Sequence, residues 1–361
     1  MGRFLIRRPE SAPGVEPVEV DGSFGEGGGQ ILRTAAAFSI ALRRPIRVTN
    51  IRAGREVSGL RQQHVSALEI LRALSGGRLE GCRVGSPEVT FNPGDGAGAS
   101  LSFDLKTAAS ITLVLQAVLP AAALSGGELS LELTGGTDVP WSPTFDYFAT
   151  VVRHAFSMVG IGFSVEAWSR GYYPRGGGRV DFSIGRCAPP KELVLMDSPD
   201  PPDASIVSRC GSLPDHVARR QTDSAAKVLA SNGISVGRAT FSTEKSASPG
   251  SSILICSLTA NRAIGSDGIG ARGKSAESVG TEAAERFAGI IASKACVDAN
   301  LADMIAPVLS LAGHESRVRI PGPTTHLETS LHVARLFTSC SYSVEPQGSS
   351  SVLTITPASR D

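Results

Sequence analysis

A chain of 361 residues, 41% of them hydrophobic, can bury one large core or two, which excludes a disordered polymer. A formal net charge of +1 excludes a globally cationic nucleic-acid binder, so any contact with nucleic acid must come from a local basic patch. Glycine, at 40 residues, exceeds its ordinary share of roughly 7%, as expected where backbone turns tightly or approaches a ligand closely.

The first segment, MGRFLIRRPESAPG, is basic, but its apolar run is too short for a signal peptide or a membrane span. The six cysteines, Cys82, Cys187, Cys210, Cys256, Cys296 and Cys340, form no CxxC pair and have no histidine at zinc spacing. They read as buried apolar residues of a reducing compartment, and a soluble cytoplasmic or nuclear enzyme with no membrane partner is the expectation. An apolar helix, a strand, a glycine-rich loop and a second helix then recur in three copies. The first copy places helices at 30–42 and 62–74, strands at 46–51 and ending at 91–94, and a loop at 52–59. The second places helices at 110–124 and 145–159, a strand at 128–133, a loop at 134–143 and a closing segment at 172–178. The third places helices at 301–311 and 326–337, strands at 316–320 and 351–356, and a loop at 321–325. Between copies two and three, prolines cluster over 187–205 and mark a crossing between domains. An inserted α+β domain follows, with strands at 193–196, 234–242 and 253–258 and helices at 214–229 and from 276. The resulting division is a large domain of 1–187 and 287–361 with an insert of 188–286.

Three stretches carry chemistry. In DGSFGEGGGQILRT, Asp21–Thr34, glycines precede an amphipathic helix, so free N–H groups and the positive helix end would face an anion. Glu26 makes sense there as a ligand to a divalent ion bridging phosphates. A flexible surface turn is the bland alternative. Next, Arg33, Arg43, Arg44, Arg47, Arg52, Arg55 and Arg61 are opposed within their stretch only by Glu56. Arg33, Arg52 and Arg55 suit phosphate oxygens, whereas Arg43, Arg44 and Arg47 read as a solvated edge. Gln63 and His64 open the following helix, and His64 is either a phosphate contact or a structural histidine.

The third stretch is PTTHLETSLHVARLF, Pro323–Phe337. Thr325 with Glu328 has capping-box spacing, which predicts Thr325 as the cap and His326 at the first helical position. The positive end of a helix favours a neutral imidazole with a free lone pair, beside N–H groups able to hold a phosphate. Taken alone, a helix-terminal histidine is more often structural.

These blocks, with GSPEVTFNPG, TLVLQAVLPAA, GGTDVPWSPT and YYPRGGGRV, run in order along nearly the whole chain, which resembles the RNA 3′-terminal phosphate cyclase family. The resemblance implies an α/β (α+β) fold, with a large domain of three βαβαββ units and a smaller inserted α+β domain. It implies ATP and Mg²⁺ or Mn²⁺ as cofactors, an RNA with a 3′-phosphate end as substrate, and His326 as the nucleophile that carries AMP. Carried over by position, Glu26 and Asp303 fall near the metal, Gln116 and Pro143 near the nucleotide, and Arg33, Arg52, Arg55, Gln63 and His64 with the RNA end. The sequence departs from the family at Asn300 and Met304, where an aromatic or histidine and a glutamine are usual, and at Ser58, where proline is common. Loss of a stacking surface at Asn300 would weaken adenine binding by about 1 kcal/mol.

Three other readings compete. A non-catalytic ribosome-assembly homologue would lack the histidine at 326, and an enolpyruvyl transferase uses similar repeats to bind small anions. GIGARGKS, Gly268–Ser275, matches the P-loop pattern, but the apolar run Ile253–Leu258 ends well before it, behind polar TANRAIGSD, which argues for a chance match.

Overall fold

The computed structural model describes residues 16–96, 98–198 and 203–358. The basic segment at the start of the chain, and part of the proline cluster, lie outside them. No described helix is long and apolar enough to cross a membrane.

The first unit runs β1 (Val18–Asp21), α1 (Gly29–Leu42), β2 (Ile46–Thr49), α2 (Gln62–Ser75), β3 (Arg78–Glu80) and β4 (Val89–Asn92). The second runs β5 (Gly98–Asp104), α3 (Ile111–Ser125), β6 (Glu128–Gly135), α4 (Phe145–Tyr147), a π-helical stretch Phe148–Val152, α5 (Arg153–Met158), β7 (Phe163–Ser169) and β8 (Gly178–Ile184). After β9 (Val194–Leu195) come β10 (Asp203–Gly211), α6 (His216–Ser231), β11 (Ser235–Glu244), β12 (Gly250–Thr259), β13 (Arg262–Ile269) and α7 (Ala276–Ala292). The chain closes with α8 (Ala299–Leu309), β14 (Ser316–Ile320), α9 (Thr325–Thr338), β15 (Ser341–Gln347) and β16 (Ser350–Thr356).

Three sheets share one plan, with orders β1-β2-β4-β3, β5-β6-β8-β7 and β9-β14-β16-β15. In each, the first pair is parallel and the other two are antiparallel. β6 shows why these strands form: its side chains alternate exposed and buried, placing Leu129, Leu131 and Leu133 in the core. The helices pack on one another inside the sheets, with α1 against α2, α3 and α9, and α8 against α9. α3 is apolar nearly all round because it is buried among them; the Ser110 hydroxyl caps it by accepting from the Leu113 N–H, and Gly126 ends it in a left-handed conformation.

Two expectations change here. The strand at 193–196 does not join the insert: β9 pairs with β14, and Leu193 and Leu195 lie in the main core. A separate cluster, including Ile206, Leu229, Ile255 and Phe287, holds β10–β13 to α6 and α7, and α7 runs on to Ala292. The polar run before GIGARGKS is also not a loop. Arg262–Ile269 is strand β13, so the motif does connect a strand to a helix, but β13 is an antiparallel edge strand. Of the cysteines, Cys210, Cys256, Cys296 and Cys340 are buried, whereas Cys82 and Cys187 are only partly so.

Candidate active site

The packing of α1 against α9 and α2 brings the starts of these helices together. Asp21 sets the front loop at the end of β1: its Oδ1 accepts from the Ser23 N–H, the Ser23 hydroxyl and the Asn50 amide. These bonds hold its carboxyl below the usual range. Gly25 takes φ 66°, and a Cβ there would overlap the Thr329 hydroxyl on α9. Gly28 caps α1 with no side-chain hydrogen bond, and the first turn holds no acid, so the helix presents free N–H donors.

Around that helix end stand the predicted cations. Arg33 is half-buried, its guanidinium lowered to about 10 by desolvation, and Gln30 Oε1 at 3.3 Å is the partner it contacts. It has no carboxylate partner among the described residues. Arg55 Nη2 lies 3.2 Å from Glu26 Oε2. Arg52 sits in the left-handed region at φ 56°; desolvation first, then Arg55 and Arg61, lower its pKa. Gln63 is half-buried on the first turn of α2. His64 is buried, and desolvation, followed by Arg33, Arg52 and Arg61, lowers it to about 3. Its Nδ1 accepts from the Arg61 N–H at 3.1 Å, so the neutral ring carries its proton on Nε2, beside Gly29. A Cβ on Gly29 would collide with that nitrogen. By contrast, Arg43 pairs with Asp95 and Arg47 with Glu88, as suits a solvated edge.

His326 projects from the first turn of α9, and its Nε2 lies 3.5 Å from Glu26 Oε2. The capping differs from the sequence pattern by one residue. Thr324, not Thr325, is the cap: its hydroxyl accepts from the Leu327 N–H at 2.9 Å and donates to Asp303 Oδ1 at 2.6 Å. His326 is therefore the second helical residue, and the carboxylate of α8 decides between the two threonines. Asp303 is buried; desolvation raises its carboxyl to about 7, against the Thr324 hydrogen bond, with Asp298 and Glu26 adding to the rise.

Gln116 on α3 donates to Met304 Sδ at 3.5 Å, and both line a small cleft with Gln30, Arg33 and Asp303. Pro143 is not drawn into these contacts; its carbonyl accepts from Thr112, one turn before Gln116 on α3. Nothing in the local pattern marks Gln30 and Ser330, whose 2.8 Å hydrogen bond ties α1 to α9. Phe24 stacks on His332 with ring centroids 3.8 Å apart, a contact between residues too far apart in sequence for any local signal.

Among the described residues no three His, Cys, Asp or Glu side chains gather into a metal cage. A cation that bridges nucleotide phosphates is commonly held by one or two carboxylates, and the partly exposed Glu26 fits that use. The cluster thus combines uncapped N–H groups, the guanidinium of Arg55 paired with Glu26, those of Arg33 and Arg52 with no carboxylate partner among the described residues, and an accessible imidazole, which suits attack on a bound phosphate.

Residues 24–344 match the family model described as RNA 3′-terminal phosphate cyclase. An RNA 3′-terminal phosphate cyclase of Pyrococcus furiosus is 40% identical over 318 residues, covering 88% of this chain and 92% of that relative. One from Thermococcus gammatolerans is 41% identical over 331 residues, covering 92% and 95%. A solved structure, the enolpyruvyl transferase NikO from Streptomyces tendae, overlaps 47% of this chain and 33% of its own at 19% identity and a TM-score of 0.27, too little to bear on the fold.

Proposed function

From the premise that the chain belongs to the RNA 3′-terminal phosphate cyclase family, we propose that it converts an RNA 3′-phosphate to a 2′,3′-cyclic phosphodiester at the expense of ATP, through AMP carried on His326. An imidazole nitrogen of His326 attacks the α-phosphorus of ATP; a P–N bond forms, the bond to the β-phosphate oxygen breaks and pyrophosphate leaves. An oxygen of the RNA 3′-phosphate then displaces the histidine and takes the AMP. Finally the neighbouring 2′-hydroxyl attacks the activated phosphorus, closes the ring and releases AMP.

The observation that supports this reading is the meeting of His326 with Glu26 at 3.5 Å, beside the uncapped start of α1. Arg33, Arg52 and Arg55, with the Nε2–H of His64 and the amide of Gln63, would hold phosphate oxygens. Gln116 and Asp303 would line the nucleotide side, and Pro143 would reach only its far end. Glu26, with Asp303 behind it, would hold Mg²⁺ or Mn²⁺, which supplies charge neutralisation on the phosphates. Met304 fills space facing Gln116, so the nucleotide side is less polar here than a glutamine would make it.

The test is incubation with α-labelled ATP and a divalent metal. An acid-labile, hydroxylamine-sensitive AMP adduct is expected on the wild-type protein, and a chase with a 3′-phosphorylated oligoribonucleotide should discharge it and yield a cyclic phosphate end. A protein that binds RNA but never acquires the label would instead be a non-catalytic homologue.

A further inference from the structure

Phe24 keeps 40% of its surface exposed, at a place where the neighbouring chemistry is ionic. It lies two residues before Glu26 on the front loop, and the imidazole of His332 covers one face of its ring at 3.8 Å and 14°. The pair is a two-ring shelf fixed at both ends: Gly25 is pressed on Thr329, and Gln30 is bonded to Ser330, so loop and helix cannot slide apart without breaking these contacts. His332 is six residues beyond His326 on α9, a rise of about 9 Å along the helix axis, and Phe24 lies two residues before the Glu26 that meets His326. The cleft of Gln116, Asp303 and Met304 is lined by Gln30 and not by Phe24 or His332, and it meets α9 through the Thr324–Asp303 hydrogen bond.

We propose that Phe24, backed by His332, is the stacking platform for the terminal base of the RNA whose 3′-phosphate enters the arginine cluster. This rests on the cyclase reading above and adds a subsite to it. Stacking on a ring accepts any base, so the platform would fix the end of the strand without imposing sequence. The exposed ring would then position the terminal ribose so that its 2′-hydroxyl faces the activated phosphate.

The test pairs a change in the protein with a change in the substrate. Binding of a 5′-fluorescent, 3′-phosphorylated oligoribonucleotide is compared with that of the same strand abasic at its last residue, for wild type, Phe24→Leu and Phe24→Tyr. Wild type should bind the abasic strand about tenfold more weakly, the size of one base–aromatic stack. Phe24→Leu should bind both strands with equal affinity, and Phe24→Tyr should restore the difference. An equal abasic penalty in wild type and Phe24→Leu overturns the platform. So does loss of the ATP-derived label in Phe24→Leu in step with loss of RNA binding, which would make the pair a loop clamp only. Failure of the wild-type protein to cyclise any 3′-phosphorylated strand would instead sink the cyclase reading, and is seen separately in the chase experiment.

Discussion

Two loops in this chain leave a strand, pass through glycines and enter a helix, but only one of them matches a familiar letter pattern. GIGARGKS satisfies a familiar phosphate-binding pattern, and the structure even supplies the strand before it and the helix after it. Yet its donors and charges are already spoken for. The Ser275 hydroxyl accepts from the Ser278 N–H, Glu277 stands in the first turn paired with Arg220, and Lys274 is paired with Glu282. The front loop matches no standard fingerprint, but the start of α1 is uncapped, no acid occupies its first turn, and Arg33 has no acidic partner among the described residues. An anion site is defined by donors and cations left unsatisfied at a helix start, and strand–loop–helix connectivity does not reveal that.

The largest effect that would sharpen this contrast comes from adding one methyl group to each loop. In Gly29→Ala the new Cβ meets His64 Nε2 and Arg33, so one of these must move, and cyclisation should fall on the order of 100-fold, as for a misplaced catalytic group. In Gly273→Ala nothing lies within 4 Å; φ 81° strains the backbone by about 1 kcal/mol, and activity should be unchanged. Equal losses of activity would erase the distinction.

A smaller effect tests the burial of His64 under the front loop. Its ordinary value of 6.5 is lowered to about 3 on folding, so the unfolded chain takes up a proton that the folded protein refuses. The stability from this group is present above about pH 6.5 and is lost as pH falls towards 3. Between pH 6 and pH 4 the wild-type protein should lose about 1 kcal/mol per pH unit more than His64→Gln, measured by urea midpoints; parallel curves would mean the ring is not shielded. The smallest effect belongs to the second loop. Ser275→Ala removes only a helix cap and should cost about 1 kcal/mol of stability with ATP chemistry intact, measured by thermal unfolding alongside adduct yield.

How far the sequence discloses this arrangement depends on where each signal resides. The helices that build the site are legible from their apolar content, a near-continuous run in α3 and a one-sided stripe in α8, and β6 is legible from its alternation. β10 is not, since Asp203–Gly211 follows prolines and buries small and polar residues such as Ser208. β13 is hidden by its Gly, Ser and Asp content; it is held as a strand by pairing with β12 and by Gly265 N–H donating to Asp298. Of the edge strands, β15 is short in apolar residues, whereas β7 alternates Phe163, Val165 and Ala167 with polar residues and is legible by that pattern. At the site, the residue types of Glu26, His64 and His326 carry their chemistry openly. The choice of Thr324 over Thr325 as cap depends on Asp303, and the Phe24–His332 stack depends on the packing of α9, so both are settled by tertiary contacts.

On the proposed function, the nucleotide chemistry belongs to the front loop and α9 and not to the P-loop-like motif. The most direct measurement is the yield of label from α-labelled ATP in His326→Ala and Lys274→Ala, side by side with the wild-type protein. No adduct is expected in His326→Ala, and an undiminished adduct in Lys274→Ala. An adduct that survives in His326→Ala, or nucleotide turnover that vanishes in Lys274→Ala, would contradict it.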